Sequence, residues 1–496
     1  MTPAENAKLL AYTPMFHARL FEETPKYRES HFQSTVSAED PALHLDGNPA
    51  FDRPLFVQFC ANDPDHLLAA ARHAVPYCDA VDLNLGCPQG IARKGHYGAF
   101  LQEDQDLVFR LINNLHNNLP IPVTAKIRVL ETKEQTLAYA QNVLNAGASI
   151  ITVHGRRREQ KGHLTGVADW SFIRYLRENL PKDTVIFANG NILQPGDIEK
   201  CLEATGADAV MSAEGNLSDP GIFGSAPPVG EEGREYWRGK DGRGGYRVDA
   251  VFRRYMNIMH KHVLQQEPPS RRPLENAADD AEEEEGPARK KRKKEGGGGG
   301  GKPKSCSDPN LLAMRPHLFH LLRHFVSKHT DIRDALARAR PGDMAAFEDV
   351  LDKVERRVAD GLVEYEKTDG QSVEADLAAV KAPPSVANGD KKPGGRRRSP
   401  KPNASGPGGL SSPLCAPLPK EALAKGALSL SKKDKKKMEE EQKQQKLKAQ
   451  NAAAAPMDSN KAAAEELPKP DGKEAIKEPT MDDKAPGLTS EELVCG

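Results

Sequence analysis

Seven short runs of β-branched and aromatic residues recur along the first half of the chain, at 9–13, 55–59, 80–83, 123–127, 150–153, 185–188 and 209–212. Each has the length and apolar content of a buried strand. Between most of them the apolar residues take helical spacing, over 65–74, 107–115, 136–146, 169–179 and 195–205. Strands joined by helical crossovers run parallel, and this many repeats predict a closed (β/α)8 TIM barrel. Only seven strands can be counted, and the first begins almost at the initiator Met, so the expected barrel lacks its first strand and carries two unpaired edges. The alternative is an open doubly wound sheet. It tolerates seven strands but expects a Gly-x-Gly-x-x-Gly turn after the first one, and the sequence has none there.

Composition changes after this region. Only 38% of the 496 residues are hydrophobic, and the polar excess sits in the second half. The sequence therefore divides into a catalytic barrel over 1–223, a low-complexity insertion or linker over 224–310 with one helix near 248–263, a helical unit over 311–367 and a disordered tail over 368–496. In the helical unit Leu318, Leu321, Leu322, Phe325 and Val326 share a face, as do Phe347, Val350, Leu351 and Val354. Lys plus Arg (70) nearly balance Asp plus Glu (71), so attraction to phosphate has to come from local patches. The seven cysteines are scattered and form no C-x-x-C pair, which excludes a disulfide or zinc framework. No metal site is expected. Neither a secretory leader nor a membrane-spanning apolar run is present in the sequence.

The chemistry concentrates at strand ends, where barrel active sites are built. Asp82-Leu-Asn84-Leu-Gly86-Cys87-Pro88 leaves the strand 80–83 and places a thiol on a turn, with Gly95 and Gly98 expected to keep the following segment flexible. A buried inert cysteine is the alternative, a role better suited to Cys60 and Cys78. Lys126 lies between Ala125 and Ile127 on a strand expected to be buried, where a cation can stabilise a ligand's negative charge. Gln58 has an amide that both donates and accepts, and is either a ligand contact or a satisfied core amide. His154 directly follows the strand 150–153.

Asn84-Leu-Gly-Cys87-Pro followed by Gly95-x-x-Gly98-Ala resembles the signature of dihydrouridine synthases. Lys126-Ile-Arg128, His154-Gly-Arg156, Asn189-Gly190-Asn191 and Met211-Ser-Ala213-Glu214-Gly-Asn216 follow in the family's order, and their wording is similar to the eukaryotic branch acting on uridines sixteen and seventeen of the tRNA D-loop. The resemblance implies reduction of tRNA uridine to 5,6-dihydrouridine by FMN, itself reduced by NADPH or NADH, with Cys87 as proton donor. A thiol with an ordinary pKa near ~8.5 is protonated at neutral pH and suits that task. It further implies that Gln58, Lys126, His154, Asn189, Gly190, Asn191, Ala213 and Glu214 bind the cofactor, the last five around its phosphate, and that Asn84, Arg128 and Arg156 meet the substrate. Glu214 stands where many members carry Arg. The family's Ala-Pro-Met loop after strand one has no counterpart, and Tyr12-Thr-Pro-Met15 matches the second strand instead.

The run Arg156-Arg-Arg-Glu-Gln-Lys161 is expected to place four positive charges at the mouth of the site, for phosphate steering or as a plain solvated loop. Arg315, His317, His320, Arg323, His324 and Lys328 correspond to the family's tRNA-gripping helical domain. A cytoplasmic or nuclear monomer is expected, with the basic run 289–294 as a nuclear signal. The competing functions are a catalytically impaired RNA-binding scaffold, a flavin-dependent reductase of a free pyrimidine, and an enzyme using Lys126 as a Schiff-base lysine.

Overall fold

In a computed structural model the described residues are 9–37, 40–240, 242, 244–275, 306 and 308–372. Their principal sheet is parallel and contains β1 (Ala11–Tyr12), β2 (Phe16–His17), β3 (Leu55–Cys60), β4 (Ala80–Leu85), β5 (Val123–Arg128), β6 (Ile150–His154), β7 (Val185–Asn189) and β8 (Ala209–Met211). Both β1 and β2 pair with β3, so they are two pieces of one interrupted stave. The break falls at Pro14, which has no N–H for a ladder. Thr13 bridges it, its N–H reaching Phe56 O and its hydroxyl accepting from Gln58 N.

The remaining order is sequential from β3 to β8, and among the described residues no pairing joins β8 to β1. The seven-stave expectation therefore holds: the sheet curls as an incomplete TIM-type barrel. Crossover helices start where the sequence supplies caps. Asp63, Asp104 and Asp169 accept backbone N–H bonds ahead of Pro64–Ala74, Gln105–Asn118 and Trp170–Asn179, and Thr132 with Gln135 forms a capping box ahead of Lys133–Asn145. Leu67, Leu111, Leu115, Ile173 and Leu176 from these helices pack on Val57, Leu83, Ala125, Ile151 and Ile186, the strand residues turned away from the barrel axis.

A second core corrects the expected linker. Residues 236–263, read as part of a low-complexity stretch, form the hairpin Tyr236–Arg238/Gly244–Tyr246 and the helix Val248–Ile258, which a π turn extends to Val263. Val248, Phe252, Met256 and Met259 pack with Met314, Leu318, Leu321, Phe347, Val350 and Val354 from Pro309–Leu321 and Met344–Lys367. The helix expected near 248–263 is present; what the linker reading missed is that the apolar partners of 248–259 come from more than fifty residues downstream. Phe252 is fully buried, so Phe252→Ala should destabilise the helical unit by about 3–5 kcal/mol in denaturant melts. A change below about 1 kcal/mol would return 248–258 to the status of a linker.

The basic run 289–294 and the tail from 373 onward lie outside the described residues. Among the described residues no helix is long and apolar enough to cross a membrane.

Candidate active site

Strand register stacks the inward residues in three rungs. Gln58, Asp82 and Thr124 form the lowest, Asn84, Lys126 and Thr152 the next, and Arg128, His154 and Asn189 the top one, at the C-terminal ends. None of these nine is more than 7% exposed. Barrel interiors are ordinarily filled by Val, Ile and Leu. Burying polar groups instead is costly unless partners or a ligand satisfy them, so this polar column marks the site.

Cys87 lies just above β4 and is 1% exposed, in a small cluster with Cys60, Ala92 and Tyr97. Its backbone is held from three sides. Asn84 Oδ1 accepts from the N–H groups of Gly86 (3.0 Å) and Cys87 (2.8 Å), Arg128 Nε donates to Gly86 O (2.7 Å), and Ala99 N donates to Cys87 O (3.0 Å). Gly98 has φ +65°, and a Cβ there would come within 2.8 Å of Cys87 O. The expectation that Gly95 and Gly98 make this segment flexible is corrected: Gly98 permits a close approach that fixes the thiol-bearing turn. Burial pushes the neighbouring Cys60 thiol far up, which keeps it protonated.

His154 is the electrostatic centre of the top rung. Burial, then Arg128, Lys126 and Arg156, hold its pKa well below the ordinary value, so the ring is neutral. Arg156 Nη1 lies 3.0 Å from His154 Nε2, and a guanidinium can only donate. Nε2 is therefore the acceptor and the proton sits on Nδ1, which is buried with no hydrogen-bond partner among the described residues. On the adjacent strand, Asn189 Nδ2 donates to Met211 O (3.0 Å), leaving Asn189 Oδ1 buried and also without a partner. A donor and an acceptor are thus left for a ligand at neighbouring strand ends. Gly190, at φ +104°, passes so close to His154 that a Cβ would lie 2.9 Å from its Cδ2.

These motifs carry the family assignment. The family model for dihydrouridine synthases matches residues 1–265. The chain belongs to the dihydrouridine synthase family. It is 48% identical over 330 residues to the NAD(P)(+) tRNA-dihydrouridine(16/17) synthase of Saccharomyces cerevisiae, covering 66% of this chain and 63% of that one. To the enzyme of the same description from Schizosaccharomyces pombe it is 43% identical over 350 residues, 70% of this chain and 72% of the other. A tRNA-dihydrouridine(16/17) synthase-like protein of Mus musculus is 48% identical over 228 residues, 46% of this chain and 45% of the other. The match thus spans less than two thirds of the budding-yeast relative and under half of the mouse one.

Within this dihydrouridine synthase fold, several side chains expected to meet ligands are engaged by protein. Gln58 donates to Asp82 and accepts from Asn84, as a satisfied core amide would. Arg128 reaches Gly86 O and the backbone of Arg157 and Gln160. Arg156 holds Gly166 O through Nε and Nη2, and donates to Asn191 Oδ1 at 2.9 Å. Asn191 in turn pins Ala168 by two hydrogen bonds, at φ +65°. Ala213 precedes the short helix Glu214–Ser218, and the Glu214 carboxylate pairs with Arg323 of the helical unit at 2.7 Å.

The expected patch of four free charges at the mouth is corrected as well. Arg156 is turned inward and Arg158 pairs with Glu103 and Glu159, while Arg157 and Lys161 stay exposed, Lys161 donating to Pro88 O. Asp82 is the buried charge that sequence reasoning passed over. Its position two residues before Asn84, hence on the same face of a strand, was the available signal.

Proposed function

We propose that this chain reduces uridines of the tRNA D-loop to 5,6-dihydrouridine, with FMN as cofactor, NADPH or NADH as reductant and Cys87 as proton donor. The observation that carries this reading is a buried thiol whose turn is tied down beside a polar, cationic column at the strand ends. The orphaned His154 Nδ1–H and Asn189 Oδ1 fit a ligand that both accepts and donates, and Lys126, Arg128 and Arg156 fit one that carries negative charge. A reduced flavin has both properties. When bound, FMN supplies the hydride for uracil C6.

The protein groups do the rest. The Cys87 S–H bond breaks as its proton passes to C5, and solvent re-protonates the thiolate after turnover. Burial, with Arg128, Lys126 and Arg156, keeps His154 neutral, so it donates through Nδ1 without competing as an acid. Main-chain N–H groups of the turns Asn189-Gly190-Asn191 and Ala213-Glu214 would hold the phosphate end of the cofactor, and Arg323 pairs with Glu214 there. Exposed Arg315 and Lys328 offer cations to the tRNA backbone.

The test is to incubate unmodified tRNA with the purified protein, FMN and NADPH, and to look for dihydrouridine by mass spectrometry. A flavin-loaded protein that yields none would overturn the reading. The β8 edge, unpaired among the described residues, favours one alternative, an RNA-binding scaffold with impaired catalysis. Salt-sensitive tRNA binding without flavin retention would decide for it.

A further inference from the structure

A buried hydrogen-bonded chain runs from the lowest rung to the thiol-bearing turn. Thr124 Oγ1 donates to Asp82 Oδ1 (2.6 Å), Gln58 Nε2 donates to Asp82 Oδ2 (2.8 Å), and Asn84 Nδ2 donates to Gln58 Oε1 (2.7 Å). Asn84 Oδ1 then accepts from Gly86 N and Cys87 N. The direction of every link is fixed from both ends. Backbone N–H groups can only donate, which turns Asn84 Oδ1 upward; an ionised carboxylate can only accept, which turns Gln58 Nε2 downward.

We propose that Asp82 is a positioning residue: as a pure acceptor at the root of this chain it fixes the sense of both amides and so holds Cys87 in its reactive place. The inference rests on the reading of Cys87 as proton donor. Burial pushes Asp82 up to about 6 against the lowering effects of Thr124, Gln58 and Lys126, and both of its oxygens face donors, Thr124 Oγ1 and Gln58 Nε2. The groups facing it are Gln58 from β3, Thr124 and Lys126 from β5, and Tyr12 from β1, whose phenol burial and Asp82 keep neutral. An isosteric amide in its place has one oxygen for the two donors: with that oxygen kept on Thr124 Oγ1, its N–H meets Gln58 Nε2, donor against donor. Relief requires Gln58 to flip, which sets its Nε2 against Asn84 Nδ2, and a flip of Asn84 then withdraws the oxygen from Cys87 N.

The experiment compares D82N, D82N/Q58E and T124V in the flavin-loaded protein, reading the alkylation rate of Cys87 with iodoacetamide by peptide mass spectrometry and the single-turnover oxidation of pre-reduced flavin by tRNA. D82N is expected to speed alkylation about tenfold and slow flavin oxidation by a similar factor, the scale of one lost buried hydrogen bond. Flavin reduction by NADPH stays unchanged. D82N/Q58E moves the pure acceptor one link up the chain, where it takes N–H bonds from both Asn84 and the amide introduced at position 82, and should return alkylation to within about twofold of wild type. T124V removes a bond to Asp82 without altering the sense of the chain and should leave alkylation at the wild-type rate. Wild-type alkylation and oxidation in D82N would overturn the proposal, as would equal loosening in D82N and T124V with no restoration by Q58E. Because alkylation needs no uridine, the pattern expected there in a protein that forms no dihydrouridine would uphold the relay and refute the catalytic reading alone.

Discussion

Replacing Cys87 with alanine is expected to lower dihydrouridine formation by about 10²–10⁴-fold, the usual worth of a positioned general acid, while flavin binding and its reduction by NADPH are retained. The separation follows from position. The turn is anchored through backbone bonds to Asn84, Arg128 and Ala99, none of which involves sulfur, so its shape survives loss of the thiol. Lys126, His154 and Asn189, which would meet the cofactor, stand on β5, β6 and β7 and are untouched. Cys60→Ala is the control. That thiol sits in the same cluster and burial keeps it protonated, but it belongs to β3, so its removal should cost stability and not the protonation step. Single-turnover oxidation of pre-reduced flavin by unmodified tRNA separates the two. If Cys87→Ala oxidised as fast as wild type and gave full product, the proton would come from elsewhere, and His154 Nδ1–H would be the next group to test.

How far the sequence could be read depended on whether the signal was local. The parallel staves were visible because their outward residues are apolar and each helix between them carries its own cap, as at Asp63, Asp104 and Thr132. The strand-end motifs were visible for the same reason: a polar residue at every second position of a buried strand cannot be explained by packing. What escaped involved partners remote in the chain. Nothing in Arg156-Arg-Arg tells the guanidinium that turns inward to His154 and Asn191 from the one left in solvent, because the distinction lies in the Gly166 carbonyl and in β7. Phe252 and Met256 were placed on a helix but inside a linker, because their apolar neighbours lie beyond residue 310. Asp82 was read as the start of a motif, and its role appears only when Gln58, twenty-four residues earlier, is set beside it.

Gly98 offers the sharpest test of the corrected view of the loop. A flexible hinge tolerates alanine, whereas a glycine required for close approach does not. At Gly98 the backbone has φ +65°, and an added Cβ would meet Cys87 O at 2.8 Å and Cys87 Cβ at 3.0 Å. Both neighbours belong to the turn that carries the thiol, so relief comes from moving that turn. Gly98→Ala should therefore slow flavin oxidation by tRNA about 10²-fold, the scale expected when a reacting group is misplaced by about 1 Å, with flavin content preserved. Gly90→Ala is the comparison. Its backbone lies outside the left-handed region, and an added Cβ would meet nothing within 4 Å. A loss several-fold smaller is expected there. Cys87 alkylation in the two variants reports the cause directly: Gly98→Ala should change it and Gly90→Ala should leave it near wild type. Equal single-turnover rates in Gly98→Ala and wild type would mean that the approach of Gly98 to Cys87 does not fix the thiol, and that the bonds from Asn84 and Arg128 suffice to hold it.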